Sequence, residues 1–90
     1  MSIDIRTKNN NSFEITVAAS IQTSHIVTVS DDHYQTLTKG VISKEQLIAF
    51  SFDFLLAREP NTSILADFEL PVINRYFPEY EAEVAAFCRP

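Results

Sequence analysis

Residues 43–80, SKEQLIAFSFDFLLAREPNTSILADFELPVINRYFPEY, contain Phe50, Phe52, Phe54, Phe68 and Phe77, five of the seven Phe in the chain, together with Tyr76, Tyr80 and three of the four Pro. Written as a helix at about 100° per residue, the first part of this stretch sets Leu47, Ile48, Phe50, Phe52, Phe54, Leu55 and Leu56 around more than half of the circumference. A helix of that kind cannot lie with one side against a core and the other in water. It requires cover from two directions, supplied either by the rest of the chain or by a second copy.

The ends of this helix are written in the sequence. Ser43 and Gln46 have capping-box spacing, and Ile42 ahead of the cap with Leu47 inside it has that of a hydrophobic staple. Pro60 disfavours helical backbone at the residue before it, so the spacing predicts a helix over 44–58. Upstream, Phe13, Ile15 and Val17 alternate with Glu14 and Thr16, and Ile26, Val27 and Val29 form a second β-branched run; period two predicts a hairpin over 12–30. Residues 1–6 alternate more weakly through Ile3 and Ile5, so residues 1–11 are read as flexible or as an extra strand. Asp32 with Gln35 suggests another capping box, opening a short helix over 32–38 that stops at Gly40. Asn61, Thr62 or Ser63 can cap a helix through Asp67 with Ile64, Leu65 and Phe68 inward, and Pro71 and Pro78 each suit the first position of a further helical segment. In the last segment Tyr80, Val84, Phe87 and Cys88 form an inward stripe. The expected fold is therefore a single α+β domain over 1–90. Its N-terminal antiparallel β-hairpin, with a third strand as an option, packs on three or four C-terminal α-helices spread over 31–90.

With LLAREPNTSIL at 55–65 and RYFPEYE at 75–81 in view, the region 25–83 resembles a group of short bacterial hypothetical proteins. The resemblance implies a bacterial, cytosolic chain and carries over no catalytic or binding residue.

Composition narrows the function classes. At 90 residues with 46% hydrophobic and 21% charged side chains, the chain suits one small globular domain. The first six residues lack the basic and apolar regions of a secretory signal, no apolar run is long enough to span a bilayer, and the one cysteine, Cys88, suits a reducing compartment. A cytoplasmic protein without membrane contact is expected. Of the net charge of −5, most lies late: residues 1–50 hold four Lys/Arg against five Asp/Glu, and residues 51–90 three against seven. The scattered basic residues argue against nucleic-acid binding, which draws on clustered Lys and Arg.

Candidate chemistry is sparse. Cys88, His25 and His33 lack any local arrangement of nucleophile and base, so packing is the better reading of Cys88. The two His with Asp31 or Asp32 match no zinc or calcium loop, and a surface or strand-end position is expected for them. Glu79, Glu81 and Glu83, with Asp67 and Glu69, read as a solvated acidic face. No catalytic residue, cofactor or metal is assigned. The candidate recognition surface is Arg58, Glu59, Arg75, Tyr76 and Tyr80, because Arg and Tyr concentrate at interface hot spots. Against this, Arg75 has an i+4 partner in Glu79, and Arg58 can bond the last carbonyls of its own helix. The expectation is a non-catalytic protein acting by protein–protein interaction as a homodimer. Two alternatives stand beside it: an antitoxin-like regulator associated with nucleic acid, and a small-molecule binder with a pocket between hairpin and aromatic helices, where Arg58 or Arg75 holds an anionic group.

Overall fold

Alternation in the N-terminal third becomes an antiparallel meander. The computed structural model describes residues 2–89. Strand β1 (Ser2–Thr7) pairs with β2 (Ser12–Ala18), and β2 with β3 (Thr23–Thr28), in registers that place Ile5 opposite Ile15 and Phe13 opposite Val27. Residues 1–11 thus supply the extra strand; Met1 lies outside the described residues. Because side chains alternate across a strand, Phe13, Ile15, Val17, His25 and Val27 share one buried face, while Asp4, Glu14, Thr16 and Thr28 occupy the other.

The helices follow. Helix α1 (Asp31–Thr38) is capped by Ser30, whose Oγ accepts from the His33 amide at 3.1 Å. This corrects the capping box expected at Asp32. Ser30 keeps the extended backbone a cap requires, and Asp31 and Asp32 fall in the first turn, where their charge suits the helix dipole. Gly40 takes a left-handed φ of 76°, preceded by Lys39 at 55°. Helix α2 (Lys44–Leu56) begins with the expected box: Ser43 Oγ accepts from Gln46 N at 3.1 Å and Gln46 Oε1 from Ser43 N at 2.8 Å.

The largest departure lies in residues 61–69. Instead of a helix through Asp67, Asn61–Ser63 form one 3₁₀ turn, and Asp67–Glu69 form a fourth strand, β4, parallel to β3 with Phe68 opposite Val27. Residues 31–90 are therefore not wholly helical. Two forces override the local helix signal. Asn61 spends its amide on the loop before β3, donating to the Ile21 carbonyl at 2.7 Å and to Thr23 Oγ1 at 2.9 Å. The sheet then captures the following backbone, with Ile26 N donating to Ala66 O at 2.7 Å and Leu70 N to Thr28 O at 2.9 Å. Helices α3 (Val72–Tyr76) and α4 (Tyr80–Phe87) complete the chain, each starting within two residues of its proline.

The circumference problem of α2 is solved within the chain. Phe52 and Phe54 are two residues apart and so point to nearly opposite sides of the helix. Phe52 meets the sheet, its ring 5.5 Å from His25 and 6.3 Å from Phe68, whereas Phe54 meets the C-terminal helices, 5.8 Å from Phe77 and 5.2 Å from Tyr80. Phe50 stacks at 4.6 Å on Phe87, which remains half exposed and so lies at the edge of its expected inward stripe. Leu47, Ile48 and Leu55 are buried, each such side chain contributing about 1.5–3 kcal/mol. The sheet and the C-terminal segment therefore sandwich α2 from opposite sides.

Candidate functional site

The last turn of α2, the segment entering β4, and α3 do not close on one another completely. Between them lies a cleft of about 300 Å³ lined by Leu55, Glu59, Ser63, Ile64, Leu65, Phe68, Val72, Ile73, Tyr76 and Phe77. The lining is apolar apart from Ser63, the phenol of Tyr76 and one carboxylate, Glu59. Two of its members are large and exposed, Leu65 at 47% and Tyr76 at 67%. Single exposed apolar residues are ordinary; here two share the rim of one apolar cleft.

The wall carrying Ser63, Ile64 and Leu65 is held by a buried polar relay. The His25 Nδ1 lies 2.7 Å from the Leu65 carbonyl, which can only accept, so Nδ1 carries the proton and donates. Its Nε2 then accepts from Thr23 Oγ1 at 2.8 Å, and Thr23 Oγ1 accepts in turn from the Asn61 amide. His25 is 2% exposed and Asn61 7%, so the two anchoring side chains of this relay are buried while its bonds lie partly buried. His25 is thus an interior residue of β3, a correction to the surface or strand-end position expected for it: its ring packs on Phe52 while its nitrogens fasten the cleft loop to the sheet.

The five residues singled out from sequence part company. Glu59 and Tyr76 line the cleft. Arg75 is exposed on α3 beside it and, among the described residues, makes no ion pair. Arg58 serves the fold. Its guanidinium lies 3.6 Å over the Phe54 ring, donates to the Phe54 carbonyl at 3.0 Å, and bridges to Glu79 at 3.3 Å and Glu83 at 2.8 Å, tying the end of α2 to α4. A hydrogen bond at its own backbone and then Arg58 hold the Glu79 carboxyl below its ordinary range. Tyr80 does not reach the surface: it is fully buried and its hydroxyl meets Ser51 Oγ. Ser51 already donates to the Leu47 carbonyl at 2.7 Å, so Tyr80 is the donor in that pair. Burial pushes the Tyr80 phenol far above its ordinary value, with the Ser51 bond opposing.

A second depression, lined by Thr7, Asn10, Phe13, Asp31, Tyr34, Ser43, Lys44 and Glu45, has a saturated centre. The Lys44 ammonium donates to the Asn10 carbonyl at 2.8 Å, to Asn11 Oδ1 at 3.2 Å and to Asp31, which uses its three protons. Lys44 pins the β1–β2 turn to the starts of α1 and α2. Burial raises the Cys88 thiol, and the residue packs beneath α4 as expected. Among the described residues, no group of three or more His, Cys, Asp or Glu lies where it could hold a metal ion. No helix among them is long and apolar enough to cross a membrane.

Sequence reasoning missed Leu65 and Phe68 as members of the site. The signal was present in Asp67-Phe68-Glu69-Leu70, a short polar–apolar alternation that a strand requires and a helix does not. Compared with protein-family models, with curated proteins and with solved structures, the chain matches none.

Proposed function

We propose that the protein is a cytosolic, non-catalytic interaction module whose recognition surface is the cleft between α2, β4 and α3. The observation that carries this reading is the pairing of an apolar lining with an exposed apolar rim, Leu65 and Tyr76, in a chain whose other aromatic residues are mostly spent on its own core. Tyr at the rim and Phe68 and Phe77 at the wall are the side chains that serve as anchors at interfaces. A dimer through α2, the arrangement its apolar circumference invites, has less to support it, since sheet and C-terminal helices cover that circumference. The partner is accordingly a different protein.

Two alternatives have weaker support. For nucleic acid, the basic residues are scattered along the sequence, and Lys44 and Arg58 are engaged in intramolecular bonds. For an anionic small molecule, the cleft lining offers the carboxylate of Glu59, and Arg75 stands exposed beside the lining rather than within it.

The test is to pan a peptide library on the intact protein and to measure the selected peptides by isothermal titration against wild type and against Leu65→Ser and Tyr76→Ser. Both positions are exposed, so the fold should persist. A loss of about tenfold or more in each variant supports the cleft. Peptides that bind both variants as tightly as wild type place recognition elsewhere.

A further inference from the structure

The cleft runs beside an open strand. In the order β1-β2-β3-β4, β4 lies at the edge, and its bonds to β3 fall on the backbone of Ala66 and Leu70. Backbone groups of successive residues point to alternate sides of a strand, so Phe68 faces β3 with them, whereas the N–H and C=O of Asp67 and Glu69 face away from the sheet. Among the described residues, no hydrogen bond fills those outward positions.

Side chains on β4 divide in the other direction. Phe68 is 8% exposed and points to the helix side, where it lines the cleft; Asp67 and Glu69 are exposed on the opposite face. A strand laid along this edge would put the side chain opposite Phe68 into the cleft and the two flanking ones beside Asp67 and Glu69. Among the described residues that line the cleft, Glu59 carries the one charge. The charged groups an incoming strand would meet on β4 and on the cleft lining are therefore carboxylates; Arg75, exposed on α3 beside the cleft, is not part of that lining.

Resting on the cleft as the recognition surface, we infer that the partner is an extended segment of basic–apolar–basic pattern that joins the sheet at β4 as a fifth strand. Its backbone completes the open groups of Asp67 and Glu69, its apolar side chain enters the cleft beside Phe68, and its Lys or Arg side chains pair with the two acidic residues. Main-chain bonds supply affinity and the cleft supplies selection, as in other cases of strand addition. A second copy is the wrong occupant. Pairing β4 with β4 across a two-fold axis would bring Asp67 and Glu69 against their own equivalents, and like charges across a ladder are destabilising.

The probe is a fluorescein-labelled nonapeptide of alternating Lys and Val with Phe at its centre, measured by anisotropy on the full chain. Saturable binding is expected. Methylating the backbone amides of the Lys residues and, in a second peptide, those of the apolar residues should give opposite results, because only one set faces β4: one peptide loses binding and the other keeps it. The double variant Asp67→Lys/Glu69→Lys, at exposed positions, should weaken the Lys peptide by about tenfold or more and bind a peptide with Glu in place of Lys. Equal effects of the two methylation patterns, or indifference to the charge reversal, overturn the strand inference. If Leu65→Ser and Tyr76→Ser still reduce binding in that case, the cleft reading stands without it; if they do not, both fall. Absence of saturable binding of the Lys peptide also overturns the inference.

Discussion

Ser51 and Tyr80 form the most consequential polar pair in the interior. Tyr80→Phe removes one hydrogen bond and leaves Ser51 bonded to Leu47, so its cost should be about 1 kcal/mol. Ser51→Ala strands a buried phenol hydroxyl and should cost more, about 1–3 kcal/mol. The double variant should be more stable than the sum of the two predicts, and urea denaturation of all four proteins reads this directly; strict additivity would mean the two groups do not interact. His33 bears on acid stability. Its Nε2 is buried without a partner, and burial lowers its pKa from 6.5 while Glu81 pulls the other way. Below that value the unfolded chain takes up a proton that the fold resists, so stability is complete above 6.5 and is lost as pH falls through it toward the lower folded value. Urea midpoints at about pH 7.5 and about pH 5.5 should differ less in His33→Gln than in wild type. An equal drop in both would assign the effect to other groups.

Helix α2 was the element most open to reading in advance, because its boundary and its surroundings are both local facts. A Ser and a Gln three residues apart set its start, and an apolar circumference demanded cover on two sides. Phe54→Ala should cost about 3–5 kcal/mol and Ser43→Ala about 1 kcal/mol in denaturant unfolding. An unchanged midpoint in Phe54→Ala would show that the C-terminal helices do not pack as described. Strand β4 was not legible in the same way. Its three residues pair in parallel with a strand separated from it by α1 and α2, and no spacing within 61–69 announces a partner so distant. The same limit hid the interior place of His25 and Asn61, whose partners Leu65, Ile21 and Thr23 lie across that gap. For Tyr80 the sequence supported two readings, inward stripe and recognition surface, and the helical stripe decided correctly.

Much of the α+β plan of the protein was readable because it follows from patterns: alternation in the first third, capped helices later, acidic residues gathered toward the C-terminus. The cleft was readable only in part, through Glu59 and Tyr76, because a cleft arises where segments distant in the chain fail to meet. Its shape depends on the loop that His25 and Asn61 fasten. Asn61→Ala should therefore loosen residues 61–66 selectively, seen as faster amide exchange there while the protection of α2 is retained; uniform loss of protection throughout would show that the loop and the core unfold as one. The parallel register of β3 and β4 also orders events in time. Before Phe68 can settle opposite Val27, the chain must close a loop containing both α1 and α2, and contacts of long sequence separation form late because their entropic cost precedes their reward. The local antiparallel strands can assemble first, and β4 docks onto a sheet already begun. What is last to assemble is commonly first to open, so the edge would be the most readily released part of the sheet, and an incoming strand would hold in place the very pairing on which it depends.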